Sequence, residues 1–276
     1  MKKVYSFCLL AGMLFCLSFV GCKPSAERSF RYYDNAAAYV AGEFTCDSAT
    51  VKRVEIDWIG GNVEIEQSGS GKTSVFEDGE ELSEEKRLHT YLSDGVLRVK
   101  YCRSGCLGKI DETQKNLQVD IPKGVDVEIN GVSANVYLGM IEIGNLSIET
   151  DTGCIEAESI LCKNADIETQ SGYIGMGALT ADKIELDSAS GEIHLGIPTC
   201  QSTEIETKNG NVTLYLQGSV CALIGFETQR GVLQTERKYE RKEDGYLFVL
   251  EEKKEGTQVS PVKILVETES GNLRVQ

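Results

Sequence analysis

The residues best suited to acid–base or metal chemistry are few and scattered along this chain. There are two histidines, His89 in a charged segment and His194 in a repeated segment. Neither is surrounded by the nucleophile–base pattern of a catalytic triad or by the ligand spacing of a zinc site. We therefore expect both histidines to be exposed surface residues. The sequence predicts no catalytic residue, no metal site and no cofactor.

A column of acidic residues is the second feature with chemical potential. One carboxylate recurs at the same position of four successive repeats, at Glu149, Glu168, Asp187 and Glu206. Hard cations such as Ca²⁺ bind carboxylate oxygens, but the sequence lacks the G-G-x-G-x-D pattern of calcium-binding repeats. Like charges that stand side by side on neighbouring strands repel each other. We interpret the column as a solvated face rather than a metal site.

The cysteines leave the redox state open. Seven of them follow residue 22, and an odd number in an exported protein leaves at least one thiol free or joined to another chain. Cys102 and Cys106 form the one local pair and are candidates for a small disulfide at a strand end. A zinc site would need four ligands and usually C-x-x-C spacing. Reduced thiols in an anaerobic habitat would explain the same count.

Residues 1–21 have the organisation of an export signal. Lys2 and Lys3 precede an uncharged apolar run that ends at Val20, and Gly21 stands directly before Cys22. This arrangement resembles the bacterial lipoprotein signal, in which the cleaved chain begins with an acylated cysteine. The resemblance implies that Cys22 is lipidated and anchors the protein to the cell membrane on its extracytoplasmic side. An ordinary secretory signal and an uncleaved anchor are the alternatives.

The charge balance restricts the possible partners. The formal net charge is −15, from 43 acidic and 28 basic side chains. A surface this acidic repels nucleic acid and anionic lipid headgroups. Nucleic acid is therefore not an expected partner. The acyl chain, rather than electrostatic attraction, must hold the protein to its membrane.

A nine-residue phrase recurs along the chain and must position the acidic column and His194. It reads I-E-T-D-T-G-C-I-E from Ile148, and its glycine returns every 19 residues in the regular part of the chain. A short fixed period in β-forming residues is typical of stacked coils. We predict an all-β, elongated β-solenoid-like stack of about 19-residue coils, with parallel strands about 4.8 Å apart. An antiparallel β-sandwich is the alternative. The turn glycines of the phrase and its looser copies are Gly61, Gly153, Gly172, Gly191, Gly210, Gly231 and Gly271.

Each of these glycines stands at a corner between two strands. A corner after two polar residues predicts a backbone with positive φ, which glycine adopts without a steric penalty. A hydroxyl three residues earlier, as at Thr150 and Thr169, is expected to hydrogen-bond to the corner backbone or to the equivalent hydroxyls along the stack. Apolar residues five positions before the glycine and two and four after it form the predicted core.

The segments outside the strict repeat complete the predicted organisation. Residues 22–50 are polar and are expected to form a membrane-proximal tether, while residues 51–276 form the repeat-built domain. The polar segments 69–87 and 103–115 are predicted loops. The charged insertion 234–261 is predicted to be a protruding hairpin or a cap on one end of the stack. The last copy of the phrase, from Val266, is expected to close the domain.

Three features together resemble the bacterial domain family named "putative adhesin". They are the repeated phrase, the segment L-Q-V-D-I-P-K-G that leads into it, and the charged insertion before a last V-E-T-E-S-G-N-L. The resemblance covers about residues 50–276 and offers no catalytic motif to carry over. It implies a non-enzymatic, lipid-anchored envelope protein with a structural or binding role, and a surface protein or a glycan as partner. The alternatives are an accessory or sensor module in envelope-stress signalling and, third, a carbohydrate-active enzyme built on a β-helix.

Overall fold

The computed structural model describes residues 30–78, 82–107, 114–197, 199–216, 221–248 and 261–276. These residues contain two 3₁₀ helices, Ala36–Ala38 and Ser48–Thr50, and 21 strands in one hydrogen-bonded network. The strands are β1 Val40–Ala41, β2 Phe44–Asp47, β3 Arg53–Gln67, β4 Lys72–Asp78, β5 His89–Ser93, β6 Val96–Lys100, β7 Asn116–Ile121, β8 Asp126–Glu142, β9 Asn145–Thr150, β10 Ile155–Leu161, β11 Asn164–Thr169, β12 Ile174–Ser188, β13 Ile193–Ile197, β14 Thr199–Thr207, β15 Val212–Leu216, β16 Ala222–Thr228, β17 Leu233–Thr235, β18 Tyr239–Lys242, β19 Gly245–Phe248, β20 Val262–Thr268 and β21 Leu273–Val275. Within the described ranges, no helix has the length and apolar character needed to cross a bilayer.

The repeats stack in parallel, as the sequence predicts. Ile155 on β10, Ile174 on β12 and Ile193 on β13 are direct register partners on neighbouring parallel strands. In an antiparallel sandwich of two-strand repeats, an intervening strand would separate each of these pairs. The β-solenoid-like fold is confirmed, and the sandwich alternative is wrong.

Each coil contributes one strand segment to each of two walls. The first wall consists of the segments before the corner glycine, at 53–58, 126–131, 145–150, 164–169, 183–188, 202–207, 262–268 and 222–228. The second wall consists of the segments after it, at 63–67, 136–142, 155–161, 174–180, 193–197, 212–216, 273–275 and 233–235. Strands β3 and β8 run through the corner without interruption and so belong to both walls.

Period-2 burial along the strands builds a single core between the walls. On β9, Leu146, Ile148 and Thr150 are buried while the residues between them are exposed. Complete burial of one Ile or Leu side chain contributes about 1.5–3 kcal/mol. A single coil contributes few such side chains, whereas one continuous cluster of buried residues extends from Val51 to Val275. The stack as a whole therefore supplies the stability that no separate coil has.

The corner glycines do not have the backbone conformation that the sequence predicts. Of the seven turn glycines, Gly61 alone has a positive φ, +85°. Gly172 shows the real constraint, because a Cβ on it would lie far inside van der Waals contact with the carbonyl oxygen of Gly153. The same conflict recurs up the column, at Gly191 against Gly172 and at Gly210 against Gly191. Close approach of stacked corner backbones, not left-handed conformation, requires glycine here.

The hydroxyl before each corner caps it as predicted. The backbone N–H of Gly172 donates to Thr169 Oγ1 at 2.9 Å, and that of Gly191 donates to Ser188 Oγ at 2.8 Å. Equivalent bonds occur at Gly153, Gly210, Gly231 and Gly271. Thr169 is 2% exposed, so its hydroxyl satisfies a corner N–H that water does not reach.

The order of coils at the C-terminal end differs from the order of the chain. The sequence predicts that the copy from Val266 closes the domain, but this copy lies inside the stack. Its strand β20 lies between β14 and β16, and β21 lies between β15 and β17. The described part of the charged insertion, the antiparallel hairpin β18–β19, pairs with β16 and covers that end of the stack. The predicted cap is thus confirmed for residues 239–248, while residues 249–260 lie outside the described ranges.

At the N-terminal end, residues of the predicted tether and of a predicted loop form strands of the domain. Strand β1 pairs with β5, and β2 pairs with β4, so the folded domain begins before residue 51. Strand β4 lies within the predicted loop 69–87 and pairs with β7. Strand β1 has only two residues and burial along β4 does not alternate, so neither has a clear period-2 pattern; pairing with β5 and β7 stabilises them.

Candidate functional site

An open groove of about 560 Å³ lies on the outward face of the second wall. Pockets that bind small ligands have volumes of about 300–1,000 Å³. The groove crosses β3, β8, β10, β12, β13 and β15, which are consecutive neighbours in the stack. Each coil therefore presents between one and four residues to it, and the stacking brings distant parts of the sequence together.

Glycines form the floor of the groove. Gly139 and Gly175 occupy outward positions where a side chain would otherwise project. The pairing of β10 with its neighbours skips the level of Gly139, Glu158 and Gly177, so the ladder is interrupted there. The space that Gly139 leaves is taken by the Glu66 carboxylate, and the space that Gly175 leaves is taken by the Tyr173 ring. Gly177 differs, because a Cβ on it would lie 2.6 Å from the backbone carbonyl oxygen of Glu158.

Aromatic side chains form one side of the groove. The ring of Tyr173 lies over Gly175, where a Cβ would be 2.5–2.8 Å from its Cε1, Oη and Cζ atoms. Tyr173 Oη is 3.2 Å from His194 Nδ1, and the two rings meet edge-to-face with centroids 5.1 Å apart. His194 also meets Tyr215 edge-to-face at 6.1 Å. The three rings form a continuous aromatic row across three coils, at distances at which such pairs attract.

Four carboxylates border the groove: Glu64, Glu66, Glu156 and Glu158. Glu64 and Glu156 are register neighbours of Tyr137, one on each side. Burial raises the pKa of the Tyr137 hydroxyl, and the charges of Glu156, Cys154 and Glu64 raise it further. Burial followed by Glu156 raises the pKa of Tyr173 in the same direction. Both phenols are therefore held protonated, in a region of negative potential.

The first wall carries a different outward surface, a ladder of carboxylates. The predicted column Glu149, Glu168, Asp187 and Glu206 continues through Glu267 to Glu227 on adjacent strands. Burial, followed by Glu206 and Glu168, raises the pKa of Asp187 to about 7. Burial and then Glu206 and Glu227 raise that of Glu267. No group of three or more metal-ligating side chains with cation-holding geometry occurs among the described residues.

At the N-terminal end the same column is neutralised. Asp57, the register partner of Asn130, forms an ion pair with Lys100 and accepts a hydrogen bond from Asn130 Nδ2 at 3.0 Å. At the same end, Lys115 lies over the ring of Trp58, is 1% exposed and pairs with Glu77 at 2.5 Å. The carboxylates of this end are therefore structural, because basic side chains offset their charge.

The predicted site residues have different outcomes in the structure. Cys22 and the signal 1–21 lie outside the described residues, so lipidation stays a prediction. The predicted Cys102–Cys106 disulfide is not formed, since both residues are thiols and Cys102 Sγ donates to the carbonyl oxygen of Arg103 at 3.6 Å. His89 is not an exposed loop residue but a strand residue, 4% exposed, whose Nδ1 is 2.9 Å from the carbonyl oxygen of Arg87. His194 is outward-facing as expected, but it belongs to the groove.

Sequence reasoning missed the groove, although a signal was present. Outward positions of the second wall depart from the repeat at Tyr137, Gly175 and Tyr215. Glycine at an outward strand position is unfavourable without a reason, because it weakens the strand and leaves a gap. Tyr137 and Gly175 lie at the same level, on the two coils that flank the coil of Glu156, and this exchange of tyrosine for glycine marks the surface.

Comparison with known proteins gives one family and several solved structures. The sequence model of the Toastrack family DUF4097 matches residues 120–276. A structure described as a putative adhesin from Bacteroides fragilis is 16% identical, covers 85% of this chain and 97% of its own, and superposes with a TM-score of 0.45. One described as a putative lipid binding protein from Parabacteroides distasonis is also 16% identical, with 84% and 95% covered and a TM-score of 0.41. A third, described as a putative adhesin from Parabacteroides merdae, is 16% identical, with 86% and 96% covered and a TM-score of 0.40. Comparison with the curated proteins gives no match.

Proposed function

This chain belongs to the Toastrack DUF4097 family, and on that premise we propose that it is a non-enzymatic binding protein of the cell envelope, whose ligand occupies the groove of the second wall. Membership confirms the family resemblance seen in the sequence, but the family supplies no activity. The proposed function therefore rests on the surface of this chain. Its partner is a surface protein or a glycan.

The groove is the observation that supports binding. Aromatic side chains such as Tyr137 and Tyr173 offer large contact area at little conformational-entropy cost, and carboxylates beside them fix the orientation of polar groups. The parallel stack beneath holds the groove rigid, because its strands are paired on both sides. A preorganised concave surface of this kind loses little entropy when a ligand binds.

Binding at the groove is tested by calorimetry with purified protein against a panel of neutral, acidic and basic oligosaccharides and peptides. We expect at least one member to bind, and the double variant Tyr137→Ala/Tyr173→Ala to weaken it by about tenfold or more. Tyr32→Ala is the matched control, since Tyr32 is 65% exposed and does not line the groove. Equal affinity in the double variant and the wild type would remove the groove from the proposal.

We place the protein on the extracytoplasmic side of the cell membrane, held by an acyl group on Cys22. The order of basic, apolar and small residues before Cys22 supports this location. Cys22→Ser is expected to release the protein from membranes or to leave an uncleaved precursor. Cys16→Ser, in the same apolar segment, is the control and keeps normal fractionation. An unchanged mature mass and membrane fraction for Cys22→Ser would contradict the lipoprotein assignment.

Glycoside cleavage is the second candidate, because four carboxylates border one groove. Glycosidases place two carboxyl groups about 5–9.5 Å apart across the scissile bond. Glu64 and Glu156 lie two strands apart, so their backbones are about 9.6 Å apart by strand spacing, just beyond that range. Any bound oligosaccharide from the panel is incubated with the protein and its products are separated. Intact oligosaccharide supports the binding function, whereas cleavage lost in Glu156→Gln would establish the enzyme.

A further inference from the structure

The four groove carboxylates have no counter-charge within the protein. No described residue forms an ion pair or a side-chain hydrogen bond with Glu64, Glu66, Glu156 or Glu158. No Lys or Arg lines the groove within the described ranges, where His194 is the single basic side chain. His194 itself lies beside Glu192, with Nε2 3.7 Å from Oε2. The groove thus concentrates negative charge that nothing in the described chain offsets.

Acidic residues of the first wall at the N-terminal end of the stack, in contrast, have basic partners. Glu55 pairs with Arg98 at 3.0 Å and with Arg53 at 3.3 Å, and Asp57 pairs with Lys100. These carboxylates lie on strand β3, which also carries Glu64 and Glu66 of the groove. A single strand therefore carries neutralised acids in the first wall and unneutralised acids in the second.

The aromatic side chains complement the same ligand charge. The face of a tyrosine ring attracts an ammonium group placed within about 6 Å of its centroid. Tyr137 stands between Glu64 and Glu156 in register, so an ammonium group above it would meet a ring and two carboxylates together. The raised pKa values of Tyr137 and Tyr173, caused first by burial and then by carboxylates including Glu156, agree with a site of negative potential.

We propose that the groove binds alkylammonium groups, presented on a flexible chain that extends across the coils, with Tyr137 and Tyr173 contacting the methylenes and Glu64, Glu66, Glu156 and Glu158 pairing with the amines. This inference rests on the proposed binding function and specifies the chemistry of its ligand. Free polyamines and lysine side chains of a peptide share this chemistry. The groove volume of about 560 Å³ accommodates several methylene and amine groups rather than one ion.

The test uses three probes with the full-length protein in detergent: spermidine, pentalysine and fully acetylated pentalysine. We expect spermidine or pentalysine to bind and the acetylated peptide to bind at least about tenfold more weakly, because charge-assisted hydrogen bonds are lost. Preference for spermidine identifies a free polyamine, whereas preference for pentalysine identifies a peptide. Equal binding of charged and acetylated pentalysine would overturn the inference.

A charge-matched pair of variants separates the groove from the general acidity of the protein. Glu64→Gln/Glu156→Gln removes two carboxylates that flank one strand of the second wall. Glu206→Gln/Glu227→Gln removes two that flank one strand of the first wall in the same way. We expect the groove pair to weaken binding by about tenfold and the control pair to change it less than about twofold. Equal effects of the two pairs would show nonspecific attraction and would overturn the inference.

Two substitutions of Tyr137 test the contribution of its ring to binding. Tyr137→Phe should retain binding, and Tyr137→Leu should weaken it several-fold because the ring face is lost. If the groove instead binds neutral oligosaccharides and neither amine probe, the proposed function survives and the alkylammonium inference fails. If groove variants change no binding at all, both fail.

Discussion

The two walls of this stack share one repeat but present opposite outward surfaces. In the first wall, six coils in succession carry a carboxylate at one level, from Glu149 to Glu227. In the second wall, the outward positions change from coil to coil between glutamate, tyrosine, glycine and histidine. The first wall therefore has a uniformly charged outward surface. The second wall, whose outward residues vary, contains the groove.

This difference shows which positions the fold itself requires. Inward residues such as Ile174 and corner residues such as Gly172 and Thr169 recur because every coil must pack on the next. Outward residues make no contribution to that packing, so a departure from the repeat there has another cause. The three positions Gly172, Asp187 and Gly175 allow the distinction to be tested by single substitutions.

The largest effect is expected at the shared corner. Gly172→Ala should lower the free energy of unfolding by about 3 kcal/mol, at the upper end of overpacking effects, because its Cβ conflicts with the backbone carbonyl of Gly153. Chemical denaturation measures the change. Gly69→Ala is the control, since a Cβ there has open space around it. Equal stability of both variants would show that the corners are not closely packed.

Loss of the corner cap should have the next largest effect. Thr169→Val keeps the shape of the side chain but leaves the buried N–H of Gly172 without its acceptor, at a cost of about 1–3 kcal/mol. Thr169→Ser keeps the hydroxyl, as Ser188 does in the next coil, and should cost less than Thr169→Val. Thermal denaturation of the two variants compares them. A serine variant as unstable as the valine variant would assign the effect to packing instead.

The acidic ladder should give a smaller effect whose sign depends on position. Asp187→Asn should raise stability at pH 8 by about 0.2–1 kcal/mol, because it relieves repulsion from Glu168 and Glu206. Asp57→Asn in the same column should lower stability by up to about 1 kcal/mol, since it breaks the pair with Lys100. Denaturation curves of both variants at pH 8 provide the measurement.

The pH dependence of the wild type sharpens this prediction. The pKa of Asp187 is raised from its ordinary value near 3.8 to about 7 in the folded state. Between about pH 4 and pH 7 the folded state therefore binds more protons at this site than the unfolded state, and the stability from this site falls as pH rises through that window. Asp187→Asn should flatten the profile there. A profile unchanged by the substitution would contradict the raised pKa.

The smallest effect on stability is expected in the groove, three residues beyond the corner. The three atoms nearest to a Cβ at Gly175 belong to the side chain of Tyr173, which can rotate away. Gly175→Ala should change the free energy of unfolding by less than about 0.5 kcal/mol but should separate Tyr173 from His194 and weaken ligand binding. Denaturation and calorimetry together check both parts. A large loss of stability would show that the groove floor belongs to the packing of the stack.

The amino-acid pattern alone predicts the parallel stack, its core and the hydroxyl column before the corners. Those features depend on contacts between equivalent residues, such as Ile155, Ile174 and Ile193, and a fixed period of 19 residues places equivalents beside each other. Composition also predicted a protruding hairpin or a cap within residues 234–261, because the open end of a sheet needs a polar cover, and the pairing of β19 with β16 shows how residues 239–248 meet that end. The periodicity carries this information without any knowledge of long-range contacts.

Features that depend on contacts between nonequivalent segments become visible only in the folded chain. The insertion of β20 between β14 and β16 reverses the order of two similar copies, and nothing local distinguishes them. The corner glycine is required by a carbonyl oxygen one coil away, which local turn chemistry does not reveal. The groove joins Glu64 to Tyr215 through six strands from separate coils. The residues of this surface follow no sequence period, because they differ from coil to coil. The distances between these residues are set only by the folded stack.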